Sequence, residues 1–201
     1  MQRVRFSKIA GFTATVLMAI ELMGCGAQEK QVTSISLDKN GKITNTIYEE
    51  FGEEHYDIQE LTKMAENEIS AYNSECLREK IFLESVDSVS DGAYVKMIIT
   101  YETPGDYSGF NKTSLFYGTV QDALDRGYNF SNDLIDENGL KISQDAIDAN
   151  LDNHVIITND KSVIIAPYNI LYTSEGIILD GKKEAILSSA SSEEIQLILA
   201  K

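Results

Sequence analysis

A chain of 201 residues, 43% apolar and 24% charged, has the make-up of a folded globular protein rather than a disordered one. Seventeen Lys and Arg face 32 Asp and Glu, and the net charge of −15 repels phosphate backbones and anionic headgroups, which argues against nucleic-acid binding and electrostatic attachment to membranes. The longest apolar run spans about a dozen residues, short of the roughly 18–20 that a membrane-spanning helix needs.

That run lies near the N-terminus and has the layout of an export signal. Residues 1–8, MQRVRFSK, hold Arg3, Arg5 and Lys8 with no acid, and Ile9 to Ile20 is apolar apart from Gly11, Thr13 and Thr15. A positive start followed by an apolar core of this length is read as a secretory signal. Directly after it, LMGC at residues 22–25 resembles the lipobox of bacterial lipoproteins, matched at Leu22, Gly24 and Cys25. The resemblance implies removal of residues 1–24, diacylglycerol on the Cys25 thiol, and a position on the outer side of the cytoplasmic membrane. Two acyl chains, at about 0.8 kcal/mol per buried methylene, hold a soluble body on a bilayer where one chain would let go. Residues 25–31 are then a short polar tether. In composition the chain is also similar to small lipoproteins of low-GC Gram-positive bacteria, rich in Ile, Asn, Lys and Tyr.

Processing would discard three bases and one acid, leaving a net charge of about −17. Cys76 would then be the sole cysteine, with no intrachain partner for a disulfide. Its surroundings, NSECLREK, read as a helix end, so it is expected to be a partly buried small residue rather than a nucleophile.

From Val32 the text VTSISLDKNGKITNTIYEEF alternates on either side of an Asn-Gly turn, which predicts a hairpin of strands 32–38 and 42–50. In YDIQELTKMAENEISAYNSE, Ile58, Leu61, Ala65, Ile69 and Tyr72 recur every three or four positions, with Asp57 as N-cap and Glu60 as its capping-box partner: an amphipathic helix. Residues 80–102 predict a second hairpin turning at Ser90-Asp91-Gly92, with Ala93, Val95, Met97, Ile99 and Tyr101 on one face. Pro104-Gly105 ends that sheet. A short helical turn, an extended SLFYG and a helix from Thr119 to Gly127 follow.

The Asp-, Asn- and Ser-rich stretch 131–152 reads as a connector with a short helix after Ser143, and 153–201 as short strands separated by turns. For the terminal SSEEIQLILAK, alternation at Ile195, Leu197 and Leu199 favours a strand over a helix capped by Ser191. The expected class is α+β. An antiparallel sheet packed by one main amphipathic helix fills 32–130, and a small β-rich subdomain fills 153–201.

Among residues able to work near neutral pH, the processed chain offers His55 and His154, neither inside a recognisable catalytic or zinc motif. His55, in EEHYD, reads as a solvated helix-entry residue, and His154 as the start of a strand that caps a turn. DKNG and DENG put glycine at the fourth position, where a calcium loop needs it at the sixth, so both are read as turns. No metal and no cofactor is expected. Tyr107, Phe110, Phe116, Tyr117, Tyr128 and Phe130 make the densest aromatic stretch. Tyr and Phe fill cores and also give rigid contact area at interfaces, and Tyr107 and Tyr128, beside glycines and acids, are the candidates for ligand contact.

The expected function is a non-enzymatic binding or interaction module on a lipid anchor, with a protein or glycan partner. The rival is an envelope hydrolase acting on glycan or peptide through carboxylates or His154. A third option, an assembly factor for a membrane complex, would need a large exposed apolar surface.

Overall fold

The first hairpin turns on a carboxylate. In the computed structural model, which describes residues 31–51, 57–130 and 133–201, Asp38 accepts from the backbone N–H of Asn40 and of Lys42, both at 2.8 Å, and Gly41 takes φ +85°. This local bonding sets the register of β1 (Ser34–Leu37) against β2 (Ile43–Glu50), Leu37 facing Ile43. The second Asp-x-Asn-Gly stretch behaves alike, Asp136 accepting from Asn138 N–H at 2.9 Å and Leu140 N–H at 2.8 Å. Residues 1–30, with Cys25, and His55 lie outside the described residues.

Asp57 caps α1 (Ile58–Glu75) by accepting from the N–H of Gln59 and Glu60, and Ala65 and Ile69 are its buried positions. The second hairpin joins β3 (Ile81–Val89) to β4 (Tyr94–Tyr101), with Ser90, Asp91 and Gly92 all at positive φ in the turn and a bulge between Leu83 and Ser85. Four antiparallel neighbours result, in the order β1-β2-β4-β3.

Downstream, Thr103 caps α2 (Pro104–Asn111), and β5 (Leu115–Thr119) runs into α3 (Val120–Asp125). There Thr119 and Asp122 exchange side-chain-to-backbone bonds at 3.0 and 3.1 Å. After β6 (Leu134–Ile135), Ser143 caps α4 (Gln144–Asp148). The remaining strands are β7 (His154–Thr158), β8 (Val163–Ile165), β9 (Ile170–Ser174), β10 (Ile178–Asp180), β11 (Glu184–Ile186) and β12 (Ile195–Leu199).

The described residues thus build a mixed fold of helices and, mainly, strands: two sheets and four α-helices. Strands from 153–201 divide between the sheets rather than standing together in a subdomain of their own. β8 pairs in parallel with β1, Ile35 facing Ile164, and β11 and β10 extend that sheet to seven strands in the order β10-β11-β8-β1-β2-β4-β3. β7, β9 and β12 join β5 and β6 in a five-stranded antiparallel sheet, β5-β7-β12-β9-β6. The reason lies in burial: Val163 and Ile164 point to opposite faces and are both buried, which suits an interior strand. Gln31–Lys201 forms one compact unit.

The five-stranded sheet is covered on both faces. One face gives Leu115, Ile156, Ile195, Leu197 and Leu199 to a core shared with Ile35, Ile43, Ile99 and Tyr101 of the larger sheet and with Ala65 and Ile69 of α1. Phe116, Val155, Ile157 and Ile198 on the other face meet Val120 and Ala123 of α3 and Ile147 of α4. All five residues of β12 are buried, as a strand between two neighbours and two layers requires, so its C-terminal stretch is the expected strand. Each fully buried Leu or Ile there contributes about 1.5–3 kcal/mol.

Candidate binding surfaces

Of the two tyrosines singled out in the sequence, Tyr107 is 2% exposed. Its hydroxyl donates to Asp160 Oδ2 at 2.9 Å, and its ring meets Tyr101 edge-on at 5.1 Å. Burial, followed by the Asp160 charge, pushes its phenol far above the usual range. Tyr128 is half-buried against Phe116, 5.3 Å between ring centres, on the opposite face of the five-stranded sheet. The structure does not bring the two together: Tyr107 is buried in the shared core and Tyr128 is half-buried. Strand alternation separates the aromatic stretch, Phe116 and Tyr117 pointing to opposite faces of β5.

Tyr117 instead meets a residue that the sequence placed elsewhere. β5 and β7 pair Thr119 with His154, and the His154 imidazole lies between two phenol rings: Tyr117 at 5.0 Å and Tyr168, from the loop after β8, at 5.2 Å. His154 opens its strand as expected, but its side chain stacks rather than capping a turn. Lys39 Nζ sits 5.4 Å above the Tyr168 ring, and the Tyr117 hydroxyl donates to the Lys39 carbonyl at 3.5 Å. Gly41 makes the approach possible, since a Cβ there would stand 3.3 Å from the Tyr117 ring. His154 Nδ1 is buried with no hydrogen-bond partner among the described residues. Burial first, then the Lys201 charge, lowers its pKa against the opposing pull of Asp122. Burial, with Tyr168 and Asp38, pushes Tyr117 up to about 12.

The larger hollow, about 820 Å³, runs between the C-terminal half of α1, the turn after it, and β3. Ile69, Asn73, Leu77, Ile81, Phe82 and Leu83 line it, as do the charged Glu66, Arg78 and Glu79. Two features of the helix end shape it. The N–H of Arg78 donates to the Asn73 carbonyl at 3.2 Å and that of Leu77 to Ser74 at 3.3 Å, the bonding of a Schellman close. Leu77 occupies the left-handed position of that motif, φ 54°, where glycine is the usual residue, and is 90% exposed. Cys76, the cap residue just before it, is exposed rather than partly buried, because the helix ends there and the chain turns outward.

A smaller cleft of about 530 Å³ is lined by Asp133, Glu175 and Glu194 together with Ser174, Ser191 and Gln196. Gln196 Nε2 donates at 2.9 Å both to the Asn129 carbonyl and to Glu194 Oε1. The carboxyls that burial raises, Glu49 on β2 and Glu68 on α1, line neither hollow. Among the described residues no group of three His, Cys, Asp or Glu is placed to hold a metal ion, and no helix is long and apolar enough to cross a membrane.

The stacked rings, the strained leucine and the hollow beside β3 left no mark in the sequence that reading could have used. Residues 39, 117, 154 and 168 are far apart in the chain and meet only in the fold, and the left-handed turn at 77 lacks the glycine that announces one. In comparison with known proteins, the chain matches no family model, no curated protein and no solved structure.

Proposed function

We infer that the chain is a lipoprotein held on the outer face of the cytoplasmic membrane by diacylglycerol on Cys25, and that its folded part is a binding module for another protein. The anchor rests on LMGC at residues 22–25, placed directly after an apolar signal core. The observation that carries the binding role is the hollow beside β3, where the outermost strand among the described residues runs next to apolar side chains of a helix end. Pull-down of the full chain from detergent-solubilised envelopes of its native host tests the reading. It predicts one protein recovered in stoichiometric amount; recovery of no protein contradicts it.

A second reading, an envelope hydrolase acting on glycan or peptide, is favoured by the cleft that gathers Asp133, Glu175 and Glu194. Release of soluble fragments from purified cell wall by the wild-type chain, abolished by Glu194→Gln, would establish it in place of the binding role.

A further inference from the structure

Among the described residues β3 is the outermost strand of the seven-stranded sheet and pairs only with β4, so alternate residues present their backbone N–H and C=O away from the sheet. Which residues these are can be read from the bonds at the strand start. Glu102 N–H donates to the Lys80 carbonyl at 2.9 Å, so that carbonyl faces the β4 side, while the Lys80 N–H, just ahead of the strand, donates to the Asn73 carboxamide at 2.8 Å. Ile81 faces the other way, because the Asn73 carboxamide on α1 accepts its N–H at 3.1 Å and donates to its C=O at 2.8 Å. Asn73 thus makes the pair of bonds that an added strand would make. By the register, which pairs Ile81 with Tyr101 and Leu83 with Ile99, the Leu83 backbone points in the same sense, just ahead of the bulge, and Leu83 lines the hollow.

The side chains around this edge suit an extended apolar segment. Leu77, 90% exposed, and Phe82, 38% exposed, line the hollow together with Ile69. A leucine in the left-handed position of a helix close carries backbone strain that glycine would not, and it exposes a large apolar surface. Local stability favours neither property.

Charge selects among occupants. The charged lining is two acids, Glu66 and Glu79, and one base, Arg78, on a chain of net charge −15. A second copy is disfavoured, since β3 carries Glu84 and Asp87 and no base, and two such strands side by side would set acids against acids. A basic segment meets complementary charge instead.

Building on the binding-module reading, we propose that the α1–β3 hollow binds an extended segment of another protein, apolar at alternate positions with Lys or Arg between, by adding it as a strand to β3 at Leu83 next to the Asn73–Ile81 pair. Backbone bonds to the edge give affinity, and the Leu77, Phe82 and Ile69 side chains give selectivity.

The test places a photo-crosslinking benzoylphenylalanine at Leu77, Phe82 or Tyr168 of the full chain in its native host. Intact cells are irradiated and the joined peptides are identified by mass spectrometry. Positions 77 and 82 are expected to capture one and the same segment of one other protein, with alternating apolar and basic residues. Combining the Phe82 probe with Leu77→Gly, which suits the local backbone, lowers that capture roughly tenfold or more. A synthetic peptide of the captured segment slows amide exchange at Ile81–Leu83. Capture of a second copy of this chain, of lipid, or of a segment without that pattern overturns the proposal, as does unchanged capture in the Leu77→Gly background. Capture from Tyr168 but from neither 77 nor 82 removes the β3 site and leaves the binding module standing. No capture from any position removes both.

Discussion

The Asn73 carboxamide on α1 stands against the backbone of Ile81 on β3, accepting its N–H at 3.1 Å and donating to its C=O at 2.8 Å. The same oxygen accepts from Lys80 N–H at 2.8 Å, so one side chain ties the helix end to the first rung of an outermost strand. Asn73→Ala leaves these part-buried backbone groups without that partner and should cost about 1–3 kcal/mol. Urea denaturation of the variant beside wild type checks this; an unchanged midpoint would mean that water serves the strand equally well.

Leu77→Gly should act in the opposite direction. Glycine takes the left-handed position without the clash of a Cβ, so the helix close relaxes and stability rises by about 1 kcal/mol, less what glycine's freer unfolded chain takes back. The same denaturation measurement decides it. A variant that gains stability while losing its partner would separate the role of Leu77 in recognition from any role in folding.

His154 gives a pH dependence with a definite sign. Its folded pKa lies below the ordinary 6.5 because burial and Lys201 disfavour the imidazolium more than Asp122 favours it. The unfolded chain therefore takes up the proton first, and the stability present above pH 6.5 declines as pH falls through 6.5 toward the lower folded value. NMR titration should show the His154 ring titrating below 6.5. His154→Phe, which keeps a ring between Tyr117 and Tyr168, should flatten the stability profile over that interval. A His154 pKa at or above 6.5 would refute the argument.

Tyr107 separates packing from hydrogen bonding. Tyr107→Phe removes only the donor to Asp160, whose other oxygen still accepts from Ser162 N–H at 2.7 Å, and should cost about 1–2 kcal/mol. Tyr107→Ala also leaves a void beside Tyr101 and should cost about 3–5 kcal/mol. Thermal unfolding of the two variants orders them.

What the sequence made legible was whatever short-range chemistry decides. The Asp38 turn, the Asp57 cap, the Ala65–Ile69 face of α1 and the β3–β4 hairpin are each settled within a few residues, and each formed where the pattern indicated. Pairing between distant strands was not legible. Nothing in VII at 163–165 names β1 as its neighbour, so strands grouped by proximity in the chain were assigned to a subdomain that the fold shares between two sheets. The same gap hid the stack of Tyr117, His154 and Tyr168. Aromatic density pointed to Tyr107 and Tyr128, yet density along a chain says little about which face a ring takes. For Leu77 the rule itself was broken: a left-handed helix close is recognised by its glycine, and this one has a leucine.

The account depends on where the chain resides, because a module that recruits another protein at the envelope must be held there. Mass analysis of the N-terminal peptide of the protein taken from its native host tests this most directly. The account predicts a chain beginning at Cys25 with diacylglycerol in thioether linkage to its sulfur. A peptide that still contains residues 22–24, or an unmodified Cys25, would contradict it.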